Sequence, residues 1–75
     1  MANNIHEALR YWRGDQVRIY NLHVVAGGVE LWRVTERAGQ PAGSVKETDF
    51  TQPEAAALFL EEVKRTLTAG GWRPV

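Results

Sequence analysis

The chain has 75 residues, of which 44% are hydrophobic and 24% charged, and its nine basic and nine acidic side chains cancel. These values exclude an intrinsically disordered chain and predict one small domain over residues 1–75. Zero net charge also excludes steering toward nucleic acid or anionic membrane by overall charge, so any basic site must be local.

Cysteine is absent, which excludes a disulfide framework and a Cys-ligated metal site. No apolar run is long enough to span a bilayer, and the N-terminal residues lack the pattern of a secretory signal. We therefore expect a cytoplasmic protein with no membrane association and no metal.

The N-terminal segment has the apolar spacing of a helix over residues 4–13, since positions i, i+3, i+4 and i+7 share one helical face. Those positions are Ile5, Ala8, Leu9 and Trp12. Asn4 is a suitable N-cap, and Gly14 supplies the residue that often follows a last turn. The pattern predicts an N-terminal helix.

The middle of the chain has the composition of strands. "QVRIYNLHVVA" and "VELWRVTE" are rich in β-branched and aromatic residues and flank Gly27 and Gly28, which predicts a hairpin. After the turn-forming "ERAGQPAG", the segment "SVKETDF" has room for one more strand, which completes a three-stranded antiparallel meander.

The C-terminal segment predicts a long helix, with Thr51 and Glu54 at capping-box spacing and an end at Gly70 or Gly71. Its apolar stripe is Ala56, Phe59, Leu60, Val63 and Leu67. The predicted fold class is α+β: an N-terminal helix, a three-stranded antiparallel meander and a long C-terminal helix packed on the sheet. We expect Trp72 to fold back over the end of that helix.

Residues suited to catalysis are few. Ser44 is the one serine, and His6 and His23 are the only histidines, at a spacing that matches no recognised metal-ligand motif. A pairing of Ser44 with His23 stays open, but no third residue orients it. We predict that the protein is not an enzyme and binds no cofactor.

The predicted hairpin sorts side chains onto two sheet faces, because successive residues of a strand point in opposite directions. A turn at Gly27 and Gly28 places Arg33 opposite Leu22. One face carries Arg18, Tyr20, Leu22, Val24, Val29, Leu31, Arg33, Thr35 and Arg37; the other carries Val17, Ile19, Asn21, His23, Val25, Glu30, Trp32, Val34 and Glu36. Burying an unpaired arginine is more costly than burying a hydrogen-bonded histidine. This argument predicts that the second face is the core, with Trp32 central and His23 a satisfied core residue.

The first face would then be free and would present a local basic and aromatic surface, suited to phosphates and a stacked base. The predicted nucleic-acid-binding residues are Arg18, Tyr20, Arg33, Arg37 and Lys46. The leading interpretation is a non-catalytic binding module for nucleic acid.

The alternative is a homo-oligomeric protein-interaction adaptor with no nucleic-acid role. In this alternative the arginines pair with acidic residues, and Leu22, Val24 and Leu31 form a dimer interface. A second version of it uses an exposed Trp32 to contact a partner.

From Tyr20 to Trp72 the chain also resembles the WGR domain of DNA-dependent poly(ADP-ribose) polymerases and of small bacterial proteins. The matching positions are Arg37, Gly39, Gly43, Lys46, Phe50, Ala56, Phe59, Gly71 and Trp72. Where that family has Trp-Gly-Arg, this chain has Thr35, Glu36 and Arg37, so the resemblance implies a nucleic-acid contact for Arg37 alone.

Overall fold

The computed structural model describes residues 4–75, which form a five-stranded antiparallel sheet and one helix. The elements are β1 (Ile5–Arg13), β2 (Gln16–Val25), β3 (Gly28–Arg37), β4 (Gln40–Phe50), α1 (Pro53–Ala69) and β5 (Arg73–Pro74). The order across the sheet is β4-β3-β2-β1-β5, so the meander has four long strands where the sequence predicted three. Strand β5 adds a short pairing on the outer side of β1. The chain is a small α+β domain in which strands dominate.

The predicted N-terminal helix is wrong, because residues 5–13 form strand β1, paired with β2 along its whole length. The helical spacing has a structural cause: the register shifts between Glu7 and Leu9, so Ala8 is an extra residue in a β-bulge. Ala8 and the adjacent Leu9 both pack with the core. A bulge that turns two successive residues inward imitates the i+3, i+4 pattern of a helix.

The β2–β3 hairpin forms, but its turn lies one residue earlier than predicted. Val25 pairs with Gly28, so Ala26 and Gly27 make the turn and each strand partner moves by two residues. A shift of two preserves the side on which every side chain points, so the predicted division into two faces survives. At Gly28 a Cβ would overlap the carbonyl oxygen of Phe50, which explains why glycine stands there.

Helix α1 forms as the sequence predicts, although its predicted capping box does not. Gln52 is the N-cap and makes no side-chain cap hydrogen bond, while Pro53 begins the helix with a backbone angle suited to that position. Ala56, Leu60 and Leu67 are buried, whereas Phe59 is 38% exposed at the margin. The buried residues face the strands and close the core.

The core lies between α1 and one face of the sheet, and Leu31 at its centre is fully buried. Leu9, Tyr11 and Tyr20 surround it from β1 and β2. Trp72, buried as predicted, packs under the last turn of α1, where its backbone N–H donates to the Leu67 carbonyl. Within residues 4–75, no helix is long and apolar enough to cross a membrane.

Candidate functional site

The choice of core face made from the sequence is wrong. Tyr20, Val29 and Leu31, all on the first face, are buried under α1, while Trp32 and His23 lie on the opposite face, which no element among residues 4–75 covers. Arg33 does share the covered side, but it lies at the margin of the helix with 35% of its side chain exposed and pairs with Glu47 at 3.1 Å. The cost of a buried, unpaired cation therefore does not arise at Arg33.

We call the uncovered side the tryptophan face. The strand pairings arrange its side chains in four rows that run from β1 to β4: Trp12, Val17, Glu36, Pro41; Arg10, Ile19, Val34, Ser44; Glu7, Asn21, Trp32, Lys46; and Ile5, His23, Glu30, Asp49. Arg73 of β5 extends the first row beside Trp12. An antiparallel sheet with one solvated face ordinarily has polar residues on that side. Here the solvated side is apolar along its middle.

An apolar patch of five residues extends from one corner of the tryptophan face to its centre: Trp12, Val17, Ile19, Trp32 and Val34. Ile19 is only 5% exposed, because neighbouring side chains on the same face enclose it. Trp12 remains 42% exposed, and Trp32 is partly exposed. Contiguous apolar patches rimmed by polar residues mark interaction sites on soluble proteins.

Charged pairs occupy the two sides of this patch. On the β1 side, Arg10 donates to Glu7 at 2.7 Å, and this hydrogen bond lowers the pKa of Glu7 and raises the pKa of Arg10. On the β4 side, Lys46 lies 3.1 Å from Asp49 and 3.5 Å from Glu30, and its hydrogen bond to Asp49 is the main cause of its raised pKa. Arg10 and Lys46 are therefore both paired with neighbouring carboxylates.

Trp32 is held in place by two neighbours. Its ring stacks on His23 with the centroids 5.3 Å apart and the planes 13° from parallel. Its Nε1–H donates to Glu30 at 3.0 Å, and this bond is the main reason that the pKa of Glu30 is lowered. A large aromatic side chain with a fixed orientation loses little conformational entropy when a partner covers it.

The five predicted nucleic-acid-binding residues do not form one surface. We call the side of the sheet that α1 covers the helix-bearing side. It carries four of the five residues, namely Arg18, Tyr20, Arg33 and Arg37. Lys46 lies on the tryptophan face, paired with Trp32. Tyr20 is 5% exposed and belongs to the core, so its ring is not available for a stacked base. Arg37 is exposed at the end of β3.

Arginines do gather at one end of the helix-bearing side, where Arg13 joins Arg18 and Arg37. The guanidinium groups of Arg13 and Arg18 lie 4.7 and 4.5 Å from the centre of the Trp72 ring, and Arg13 also donates to the Gly70 carbonyl. Arg18 makes no ion pair with any residue in 4–75, and its Nε is buried without a hydrogen-bond partner. A groove of about 350 Å³ beside Arg18 and Tyr20 opens between α1 and β4.

The predicted dimer residues are likewise separated. Leu31 is fully buried and Leu22 packs against the core, so neither is available to a partner. Val24 is 50% exposed near the β2–β3 turn. Of the residues that the sequence named for a protein contact, Val24 is exposed and Trp32 is partly exposed.

Ser44 and His23 do not meet. Ser44 lies on β4 and His23 on β2, two strands apart, which separates them by roughly 10 Å across the sheet alone. Within residues 4–75, no group of three His, Asp or Glu side chains could hold a metal ion.

Sequence reasoning missed Trp12 and Arg10, because both lie in the segment whose apolar spacing predicts a helix. The sequence of β2 did indicate that both faces of the sheet are apolar. Val17 and Ile19 point to one face, and Tyr20 and Leu22 point to the other. Apolar residues on both sides of a strand predict cover on both sides.

Comparison with known proteins gave no matching family model, no matching curated protein and no matching solved structure.

Proposed function

We propose that this protein is a non-catalytic protein-interaction module whose binding surface is the tryptophan face. The observation that carries the proposal is that the sheet face left uncovered by α1 carries a contiguous apolar patch, in which Trp12 is 42% exposed. Tryptophan is enriched among the residues that dominate binding energy at protein interfaces.

The distribution of charge favours a protein partner over nucleic acid on this face. Four carboxylates, those of Glu7, Glu30, Glu36 and Asp49, outnumber the three cations of Arg10, Lys46 and Arg73. A polyphosphate chain would meet net negative charge there, and its affinity depends mainly on cations that neutralise phosphates. An apolar centre with a mixed-charge rim is instead the anatomy of a protein interface.

Photocrosslinking in the native cells tests this proposal. A photoreactive amino acid at Ser44, which is exposed on the tryptophan face, should give an adduct of one discrete mass. The same amino acid at Leu58, 72% exposed on α1, is the matched control and should give none. Combining the Ser44 probe with Trp32→Glu should remove the adduct. An adduct that survives Trp32→Glu, or that forms equally from Leu58, would contradict the proposal.

Nucleic-acid binding is a second candidate, at a different place. The support for it is the arginine end of the helix-bearing side, where Arg13, Arg18 and Arg37 gather and Arg18 has no ion-pair partner in residues 4–75. Arginine is well suited to phosphate, which it binds through two parallel hydrogen bonds. The resemblance of Arg37 to the WGR position is consistent with this site.

A fluorescence anisotropy titration against single- and double-stranded DNA and RNA tests the second candidate. Binding there should weaken steeply as salt rises, and Arg37→Glu should reduce it while Arg65→Glu, an exposed control on α1, should not. An absence of binding at low salt would exclude this candidate.

A further inference from the structure

The tryptophan face has a pattern of charges and apolar residues that complements itself. One row begins with Glu7 on β1 and ends with Lys46 on β4, and Trp32 lies between them. In the next row Ile19 and Val34 are neighbours at the centre. A surface whose two sides match each other can pack against its own copy about a two-fold axis.

We propose that the partner of the tryptophan face is a second copy of this chain, packed face to face as a two-layer sandwich of sheets. This inference rests on the proposed function and names the partner. The two-fold axis runs parallel to the strands between β2 and β3, so that β1 of each copy covers β4 of the other. Sheets packed in this way lie about 10 Å apart with their strands nearly aligned.

This axis brings unlike charges together at the two sides and apolar groups together at Ile19 and Val34, while Val17 faces Glu36 and Trp32 faces Asn21. It places Glu7 of each copy over Lys46 of the other, at the two sides of the interface. It places Ile19 over Val34 of the second copy at the centre. His23 faces Glu30 across the interface in the outermost row. No row opposes two charges of the same sign.

The other two-fold axis in the plane of the interface, perpendicular to the strands, is less favourable. It would exchange the first row with the fourth and lay each strand over its own copy. Arg10 would then face Glu7, but Glu36 would face Glu30, both on β3, and like charges brought together at an interface are costly. The charge pattern therefore selects the axis parallel to the strands.

The size of the broad side is compatible with a standard dimer interface. The molecule measures 37 × 27 × 17 Å, so its broad side has a plan area of at most about 1,000 Å². A standard interface takes roughly 800 Å² from each partner. Dimerisation would also place a second apolar layer over the tryptophan face, and small domains gain stability from such cover.

Sedimentation velocity over a range of concentrations, with light scattering for mass, is the first test. The wild-type chain should be a dimer, and Trp32→Glu should weaken dimerisation by at least about thirtyfold, the effect expected of a central interface residue. Leu58→Glu on α1 is the matched control and should leave the dimer unchanged. Circular dichroism checks that each variant is folded.

Charge reversal tests the axis. Glu7→Lys and Lys46→Glu should each weaken the homodimer, roughly tenfold for a pair at the rim. Mixing the two variants should restore dimerisation. In the mixed dimer the introduced lysine of one chain faces the introduced glutamate of the other, and the native Lys46 of the first chain faces the native Glu7 of the second. The reversed helix pair Glu61→Lys and Lys64→Glu, whose wild-type charges lie 3.0 Å apart, should have no effect alone or mixed.

A chain that stays monomeric up to about 1 mM would overturn this inference. The proposed function would then still stand if the Ser44 probe gave an adduct that depends on Trp32. A dimer that resists Trp32→Glu would overturn both the inference and the assignment of this face. Failure of the mixed charge variants to recover, with Trp32→Glu still disruptive, would overturn the proposed axis.

Discussion

The two faces of the sheet differ in what covers them more than in what they are made of. The helix-bearing side buries Tyr20, Val29 and Leu31 under α1, and the tryptophan face carries Trp12 and Ile19 with no second layer among residues 4–75. In β2 the two sides are almost equally apolar. The difference shows that one amphipathic helix supplies cover for only half of the apolar surface of this sheet.

The largest expected effect on stability comes from truncating a buried side chain on the helix-bearing side. Leu31→Ala removes a fully buried side chain from the centre of the core, and such truncations cost about 2–5 kcal/mol in free energy of unfolding. Val34→Ala, its counterpart on the tryptophan face, should cost less than about 1 kcal/mol when it is made in the Trp32→Glu background, where the dimer is disrupted.

Urea denaturation followed by circular dichroism measures both changes. Suppose that Leu31→Ala and Val34→Ala lower the free energy of unfolding equally in that background. The two faces would then be equally buried within one chain, which would contradict the claim that α1 covers only one of them.

Part of this architecture was accessible from the sequence and part was not. The β2–β3 hairpin, helix α1 and the buried Trp72 follow from strong local signals, namely adjacent glycines, an apolar stripe and a C-terminal aromatic. Strand β1 was missed because the bulge at Ala8 shifts the alternation of apolar residues. A bulge is fixed by pairing with β2, which is a contact between segments and leaves no local mark.

The choice between the two faces failed for a different reason. The cost of burying Arg33 was estimated as though the helix covered the whole sheet, but α1 leaves Arg33 at its margin beside Glu47. The period of two determines which residues share a face, yet the path of a helix across that face depends on packing over the whole core. The candidate site therefore could not be assigned by parity alone.

A smaller difference in stability is expected between substitutions of an arginine on each side of the sheet. Arg18 lies against Trp72 at 4.5 Å within the core margin, and Arg18→Gln should lower the free energy of unfolding by about 1 kcal/mol. Arg10 forms an exposed pair with Glu7, and Arg10→Gln should cost less than about 0.5 kcal/mol, because exposed ion pairs contribute little. Thermal unfolding of the two variants in the Trp32→Glu background measures the difference. An Arg10→Gln loss as large as that of Arg18→Gln would contradict this ranking.

The smallest expected effect is a response of the tryptophan face to acid. The pKa of Glu30 is lowered chiefly by the hydrogen bond from Trp32, so the charged form contributes stability above the ordinary pKa of a glutamate. That contribution should be lost as pH falls through the lowered value. Tryptophan fluorescence should change over this range in the wild type.

Glu30→Gln, which keeps an acceptor for Trp32 but cannot titrate, should abolish the acid change in fluorescence. Trp32→Phe should also abolish it, because the emission that remains then comes from Trp12 and Trp72. An identical transition in Glu30→Gln would assign the change to another group.

Hydroxyl-radical footprinting at increasing protein concentration tests most directly whether the tryptophan face is the surface that a partner covers. The tryptophans report on the two sides of the sheet at once, since Trp72 is 4% exposed under α1 while Trp12 is 42% exposed on the tryptophan face. We predict that oxidation of Trp12 and Trp32 falls as concentration rises, while Leu58 on α1 stays reactive and Trp72 stays protected throughout. Constant oxidation of Trp12 and Trp32, or protection of Leu58 in their place, would contradict the assignment of this face as the interface.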